Sequence, residues 1–292
     1  MNALLALIAV LGVSASGPLM AATSAPALTI AFWRNALGVA AIAPVAAVRR
    51  RDEIGAMNSR DWLLAAFAGA MLAAHFATWV SSLKLTSVAA ATALVTTQLI
   101  WVVLIDRFRG IKPGGAAIVG IVFATSGVLV ISGFDFALSR RALTGDLLAI
   151  AGGLFAALYL LVGGEIRKKL STTSYTFVCY GICAALLIVV CLASGQQLTG
   201  FSSKTWLAIV AVTVSAQLLG HSLFNHLLAV MSPTVISLVL LFEVPGAALL
   251  AGIFLDQTPQ WGVYLGLALM MAGLVVVTLD RPADGDEVIL AG

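Results

Sequence analysis

Two stretches decide the reading of this chain: SVAAATALVTTQLIWVVLI (Ser87 to Ile105) and SPTVISLVLLFEVPGAALL (Ser232 to Leu250), each opening a hydrophobic hairpin. The hairpins also close alike, with ATSGVLVIS (Ala124 to Ser132) matching MMAGLVVVT (Met270 to Thr278). The echoes keep nearly one spacing: Ser87 with Ser232, Pro113 with Pro259, Gly120 with Gly266, and Gly127 with Gly273. Trp62 and Trp206, each opening the segment before, carry the match upstream. Self-similarity about half a chain long implies a duplicated structural unit.

Composition says what kind of unit this is. With 61% hydrophobic and 10% charged residues and a mean hydropathy of +1.07, the 292-residue chain cannot bury its apolar surface in a water-soluble core, and it reads as a polytopic membrane protein. Apolar runs long enough for a bilayer, about 20 residues each, fall near 3–22, 27–48, 61–83, 86–106, 113–132, 145–165, 173–194, 204–230, 233–255 and 260–279. The first run resembles a signal peptide, but no Lys or Arg precedes Arg34, and the count of ten needs it as a spanning helix. The expected fold is therefore an all-α integral membrane protein of ten transmembrane helices. A five-span unit placed twice enters the membrane from opposite sides, so residues 1–138 and 139–280 are expected to form two inverted five-helix repeats around a central cavity. Residues 281–292 are expected to be a mobile cytoplasmic tail.

Basic residues orient the bundle. With the N-terminus inside, inner loops collect Arg49, Arg50, Arg51, Arg60, Arg107, Arg109, Lys112, Arg167, Lys168, Lys169 and Arg281, against Lys84, Arg140, Arg141 and Lys204 outside. Both termini are expected to be cytoplasmic. Trp62, Trp206 and Trp261 open their segments where interfacial anchors belong. Gly262 and Gly266 form a GxxxG, a packing device rather than chemistry. Pro18 and Pro245 each remove a backbone donor within a segment, and such broken helices often line a cavity. Cys179, Cys183 and Cys191 share one apolar segment and read as small buried side chains. No HExxH, CxxC or nucleotide-binding GxxxxGK[ST] occurs, so neither a metal nor a cofactor is expected, and no nucleic-acid signal is present.

Glu243 is the most informative residue, near the midpoint of the ninth segment and two positions before Pro245. A charged group there costs about 2.5–3.5 kcal/mol on insertion scales. Two readings stand: a protonated carboxyl hydrogen-bonded to a neighbouring helix, or a ligand for a substrate ammonium group or a proton. The repeat places Gln98 in the equivalent position. In the third and eighth segments His75 matches His221 and Trp79 matches Asn225, each pair four apart on its helix and so on one face, which Gln217 extends by a turn. His75 alone reads as packing. Asn225 followed by His226 also fits plain interfacial polarity. Trp101 and Tyr159 lie in the interior halves of their segments, either as packing or as an apolar cavity wall with polar handles. Arg34, two turns into the second segment, is expected to snorkel or to bind a backbone carbonyl or lipid phosphate.

The APALTIAFWRNALG stretch with Trp33 and Arg34, the SVAAATAL and SPTVISL openings, the Glu243 to Pro245 region and the LGLALMMAGLVVV close resemble the drug/metabolite transporter superfamily in its ten-helix EamA-type branch. The match covers nearly the whole chain. It differs at the first helix, where VLGVSAS around Gly12 replaces a short tryptophan motif, and late in the fourth, where Ile100 and Trp101 occupy the region of a common proline. The resemblance implies an inner-membrane exporter of a bacterial cell, with the third, fourth, eighth and ninth helices around a central cavity. The function expected is secondary, non-ATP export of small amino acids or related metabolites by alternating access. Export of amphiphilic drugs or other metabolites is the alternative, and an intramembrane lipid-modifying enzyme the alternative of another class. The substrate-binding residues expected are His75, Trp79, Gln98, Trp101, Tyr159, Gln217, His221, Asn225 and Glu243. The partners expected are a small-molecule substrate and the lipid bilayer, and two fused repeats suffice for a monomer to function.

Overall fold

The computed structural model describes residues 1–110, 115–257 and 261–279, and all regular structure among them is helical. The chain opens with α1 (Asn2–Ser14) and α2 (Ser16–Ala22), one stretch interrupted at Ala15, followed by α3 (Ala27–Arg49), the short α4 (Arg51–Gly55) and α5 (Ser59–Ser82). Next come α6 (Val88–Val95), α7 (Gln98–Phe108), α8 (Gly115–Leu138), α9 (Arg140–Ile166) and α10 (Thr172–Ala193). Then α11 (Ser203–Val212) runs through a π-helical segment, Thr213–His221, into α12 (Ser222–Leu227). The last are α13 (Pro233–Leu240), α14 (Glu243–Leu255) and α15 (Trp261–Leu279).

Eight stretches are long and apolar enough to cross a membrane: Asn2–Ala22, Ala27–Arg49, Ser59–Ser82, Val88–Phe108, Arg140–Ile166, Thr172–Ala193, Ser203–Leu227 and Pro233–Leu255. In α8 and α15 the apolar runs are shorter, Ile118–Gly127 and Trp261–Gly273, in the places expected for the fifth and tenth segments. The Pro113–Pro259 echo, Lys112, Arg281 and the tail 281–292 lie outside the described residues.

Short polar side chains start these helices. Ser87 Oγ accepts from Ala90 N (3.1 Å) before α6, and Ser232 Oγ accepts from Val235 N (3.3 Å) before α13, each satisfying a helix-end donor. Asn58 and Asp61 form a reciprocal capping box at α5.

Two helices break at matching points. α13 stops at Leu240, and α14 resumes at Glu243 with Pro245 in its first turn, where a missing N–H is tolerated. α6 stops at Val95 and α7 resumes at Gln98 without a proline. There the Thr96 and Thr97 hydroxyls donate back to the Ala93 and Leu94 carbonyls at 2.6 and 2.7 Å, a competition with the helix ladder that takes the proline's place. Both breaks are closed by tight bonds to the third residue back, such as Thr97 N to Leu94 O and Phe242 N to Val239 O.

Close packing then sets the arrangement. α5 lies against α9, α3 against α10, α1 against the π segment, and α8 against α15. In the last pair a Cβ on Gly127 would stand 2.5 Å from Gly266 O, and one on Gly273 would stand 2.8 Å from Gly120 O. Backbone touches backbone there, so glycine is required.

The π segment has a clear origin. From cap to cap α5 spans Asn58 to Leu83, whereas the corresponding stretch from Ser202 to Leu228 holds one residue more. A widened turn absorbs such a residue without breaking the helix.

Candidate functional site

Six membrane stretches converge on one cavity. Its wall takes Val13 from α1 and Ser16 from α2, His75 and Trp79 from α5, and Val95, Thr96 and Gln98 from the α6–α7 break. Ala156, Tyr159 and Leu160 come from α9, His221 and Phe224 from the π segment and α12, and Leu240 and Glu243 from the α13–α14 break. The volume is about 40 Å³, room for about three waters at roughly 10–15 Å³ each. A second, larger space of about 510 Å³ lies between Asp106 of α7 and its cap Arg109, Leu161, Gly164 and Glu165 of α9, and the Leu228–Thr234 connection.

Gln98 and Glu243 are each the first residue of a half-helix, and each is 6% exposed. Neither side chain has a hydrogen-bond partner among the described residues, so both polar groups are turned to the cavity without protein neighbours to satisfy them. The start of a helix favours negative charge through its unpaired N–H groups, which suits a carboxyl at Glu243.

Opposite them stand aromatic rings. His75 stacks on Trp79 with centroids 5.7 Å apart at 12°, and lies 6.2 Å from His221. His75 Nδ1 is 3.0 Å from Gly152 O. A carbonyl only accepts, so Nδ1 carries the proton there and Nε2 is the remaining acceptor of the neutral ring. Tyr159 lies 6.3 Å from His221 and donates to Asn225 Oδ1 at 2.5 Å.

Of the nine residues expected at the site, His75, Trp79, Gln98, Tyr159, His221 and Glu243 line this cavity. Three do not. Trp101 packs beside Val102, Ala157 and Leu161. Asn225 is fully buried, accepting from Tyr159 and donating to Tyr180 OH (3.1 Å), and so is neither a wall residue nor interfacial. Gln217 is also fully buried, accepting from Arg34 Nε (2.9 Å) and donating to Asn35 Oδ1 (3.1 Å).

The helix ends show that the pairing is misplaced. Counted back from the caps Leu83 and Leu228, Trp79 corresponds to Phe224, and both line the cavity. The His75–His221 and Trp79–Asn225 match is therefore one residue out of register. Arg34 departs from expectation altogether: it is 0% exposed, and neither snorkels nor meets a backbone carbonyl.

Polar contacts close both ends of the bundle. At one end Lys84 Nζ donates to Met20 O (2.9 Å) and Thr23 O (2.6 Å), capping the carbonyl end of α2, and burial holds its ammonium below the usual lysine range. At the basic end Glu53 accepts from Ser171 N (2.5 Å) and Ser171 Oγ (2.8 Å), Lys169 pairs with Asp61, and Arg109 pairs with Glu165 (3.1 Å). Partial burial pushes the Glu53 carboxyl up, but the Ser171 bonds, with Ser174 and Arg50, outweigh it and hold the group below its ordinary value.

Comparison with known proteins agrees with this architecture. The EamA-like transporter family matches residues 1–133 and again 143–279. An uncharacterized transporter of Archaeoglobus fulgidus is 22% identical over 203 residues, covering 68% of this chain and 70% of its own length. A solved crystal structure, 18% identical, shares the fold with a TM-score of 0.72 over 95% of this chain and 96% of the other. A cavity walled by broken helices within a multi-pass membrane bundle, together with two family matches spanning nearly its whole length, places this chain in the EamA-like transporter family.

Proposed function

We propose that the chain is a secondary exporter of small zwitterionic amino acids or related metabolites, working by alternating access in the cytoplasmic membrane of a bacterium. The observation that carries this reading is the Glu243 carboxyl, at the start of a half-helix on the cavity wall with no partner among the described residues. A carboxylate so placed suits a substrate ammonium group, and Gln98 offers a neutral amide from the other break. His75 and His221 tune polarity or protonation, while Trp79 and Tyr159 meet the apolar part of the solute.

Alternating access is supported by size. A cavity of about 40 Å³ is too small for an amino acid in this conformation, whereas the second space of about 510 Å³ on the side of Arg109 and Lys168 is not. Rocking of residues 1–138 against 139–280 as inverted repeats would exchange the two. The Gly127–Gly266 and Gly273–Gly120 contacts favour that symmetry, because matched positions meet reciprocally as they do about a two-fold axis. The excess of Lys and Arg on the proposed inner side supports cytoplasmic termini. The cavity forms within one chain, which supports a functional monomer.

The His75–Trp79 stack favours a second reading, export of amphiphilic drugs. Proteoliposomes loaded with labelled amino acids, nucleosides and sugars, with and without a pH gradient, test both. Selective loss of amino acids, reduced at least tenfold by Glu243→Gln, is the expected result. Retention of every amino acid alongside efflux of hydrophobic dyes would replace the first reading with the second.

A further inference from the structure

Arg34 is placed by α3 in the interior, and the fold closes over it completely. Three sides of the guanidinium are engaged. Nε donates to Gln217 Oε1 (2.9 Å), Nη1 reaches Met20 Sδ (3.8 Å), and Cζ lies 4.1 Å from the centre of the Phe76 ring. Gln217 is itself fixed by Asn35, whose Nδ2 donates to Ala31 O (2.8 Å), so the guanidinium plane is held from both directions. Nη2 has no hydrogen-bond partner among the described residues.

This is an incomplete site. A guanidinium has five N–H donors and no acceptor, and a buried charge without a counter-ion is strongly unfavourable. Among the described residues it makes no ion pair within 4 Å, and Glu243 acts on it only electrostatically, without a hydrogen bond. Phe76, which covers one face of the guanidinium, meets His221 edge-on at 5.2 Å, and His221 lines the cavity. Phe76 therefore fills the space between Arg34 and His221, a residue of the cavity wall.

We infer that Arg34 anchors the carboxylate of the transported solute, reached when Phe76 turns aside during the conformational cycle. This rests on the amino-acid reading above and adds its second pole: Glu243 meets the ammonium end and the free edge of Arg34 meets the carboxylate end. Gln217 and Asn35 act as positioning residues, holding the fork aimed before the solute arrives. Discrimination then follows from charge, since an ester or a decarboxylated amine leaves the buried guanidinium unpaired.

The test compares a panel of L-α-amino acids with their methyl esters in proteoliposomes. Wild type is expected to prefer the acids at least tenfold. Arg34→Lys, which keeps the charge and loses the planar fork, should raise KM for the acids at least tenfold, and Arg34→Gln should erase the preference while ester flux continues. Phe76→Ala, independent of any folding defect at Arg34, should raise affinity for the acids and leave that for the esters unchanged. Active variants that keep the wild-type acid-to-ester ratio, whether changed at Arg34 or at Phe76, would overturn the Arg34 assignment alone. Wild-type protein that moves none of the amino acids would overturn the amino-acid reading and this inference with it.

Discussion

Gln98 and Glu243 occupy one structural position twice: each is the first residue after a break in a membrane helix, and both line a single cavity. Placing polar groups at half-helix starts puts them at the positive ends of two short helices, so side chain and main chain together present polarity in an apolar interior. A carboxyl on one side and a neutral amide on the other make the cavity chemically asymmetric.

That asymmetry separates binding from stability. Gln98→Leu should raise KM for the transported solute several-fold and leave the melting temperature in detergent unchanged, because its amide bonds to nothing among the described residues. Gln217→Leu should lower stability by about 1.5–3 kcal/mol, the scale for losing a hydrogen bond to a charged group, since it frees Arg34 Nε. Equal melting temperatures for the two variants would contradict this division.

Asn225 is held as structure rather than as a substrate contact. Asn225→Leu leaves the Tyr159 hydroxyl without its partner, while Tyr180 keeps Ser222, at about 1–3 kcal/mol for the buried group left unsatisfied. Thermal unfolding should move down by several degrees, whereas KM in the remaining folded protein should change less than twofold.

The break at Thr96–Thr97 needs a glycine opposite it. A Cβ on Gly153 would lie 2.6 Å from Thr97 Oγ1 and 2.7 Å from Val95 O, and the carbonyl cannot step aside as a side chain does. Gly153→Ala is expected to cost about 1–3 kcal/mol by overpacking. Gly181→Ala, where nothing lies within 4 Å, should be neutral or stabilising by about 0.5–1 kcal/mol. Unfolding of the two purified proteins in one detergent compares them directly.

The basic end should loosen in acid. The Glu53 carboxyl is held below its ordinary value of 4.5, so its ionised form is favoured by the fold. The stabilisation is complete above that value and is lost as pH falls through the folded-state value. Wild type should therefore exceed Glu53→Gln in melting temperature at pH 7, and the gap should close toward pH 3. A gap that persists unchanged into acid would show that the bonds to Ser171 do not depend on ionisation.

The helix breaks illustrate how far local chemistry reaches. Pro245 announces its break, since a ring without an N–H belongs in a first turn. The equivalent break at Thr96–Thr97 has no such marker, and two hydroxyl-to-carbonyl bonds produce it.

The sequence by itself determined the membrane class, the helical segments, the family and the equivalence of Gln98 with Glu243, because hydropathy, caps and repeat spacing are written residue by residue along the chain. Tertiary structure alone decided the rest. An extra residue in the stretch from Ser202 to Leu228 becomes a π turn that shifts register by one, so Phe224 rather than Leu223 corresponds to Trp79 in the count from the helix end. Arg34 is buried because Gln217, Met20 and Phe76, distant in sequence, close around it. Such contacts depend on how helices rotate and pack against one another, and a rotation of one residue, about 100° on a helix, decides whether a side chain meets the cavity, a neighbouring helix or lipid.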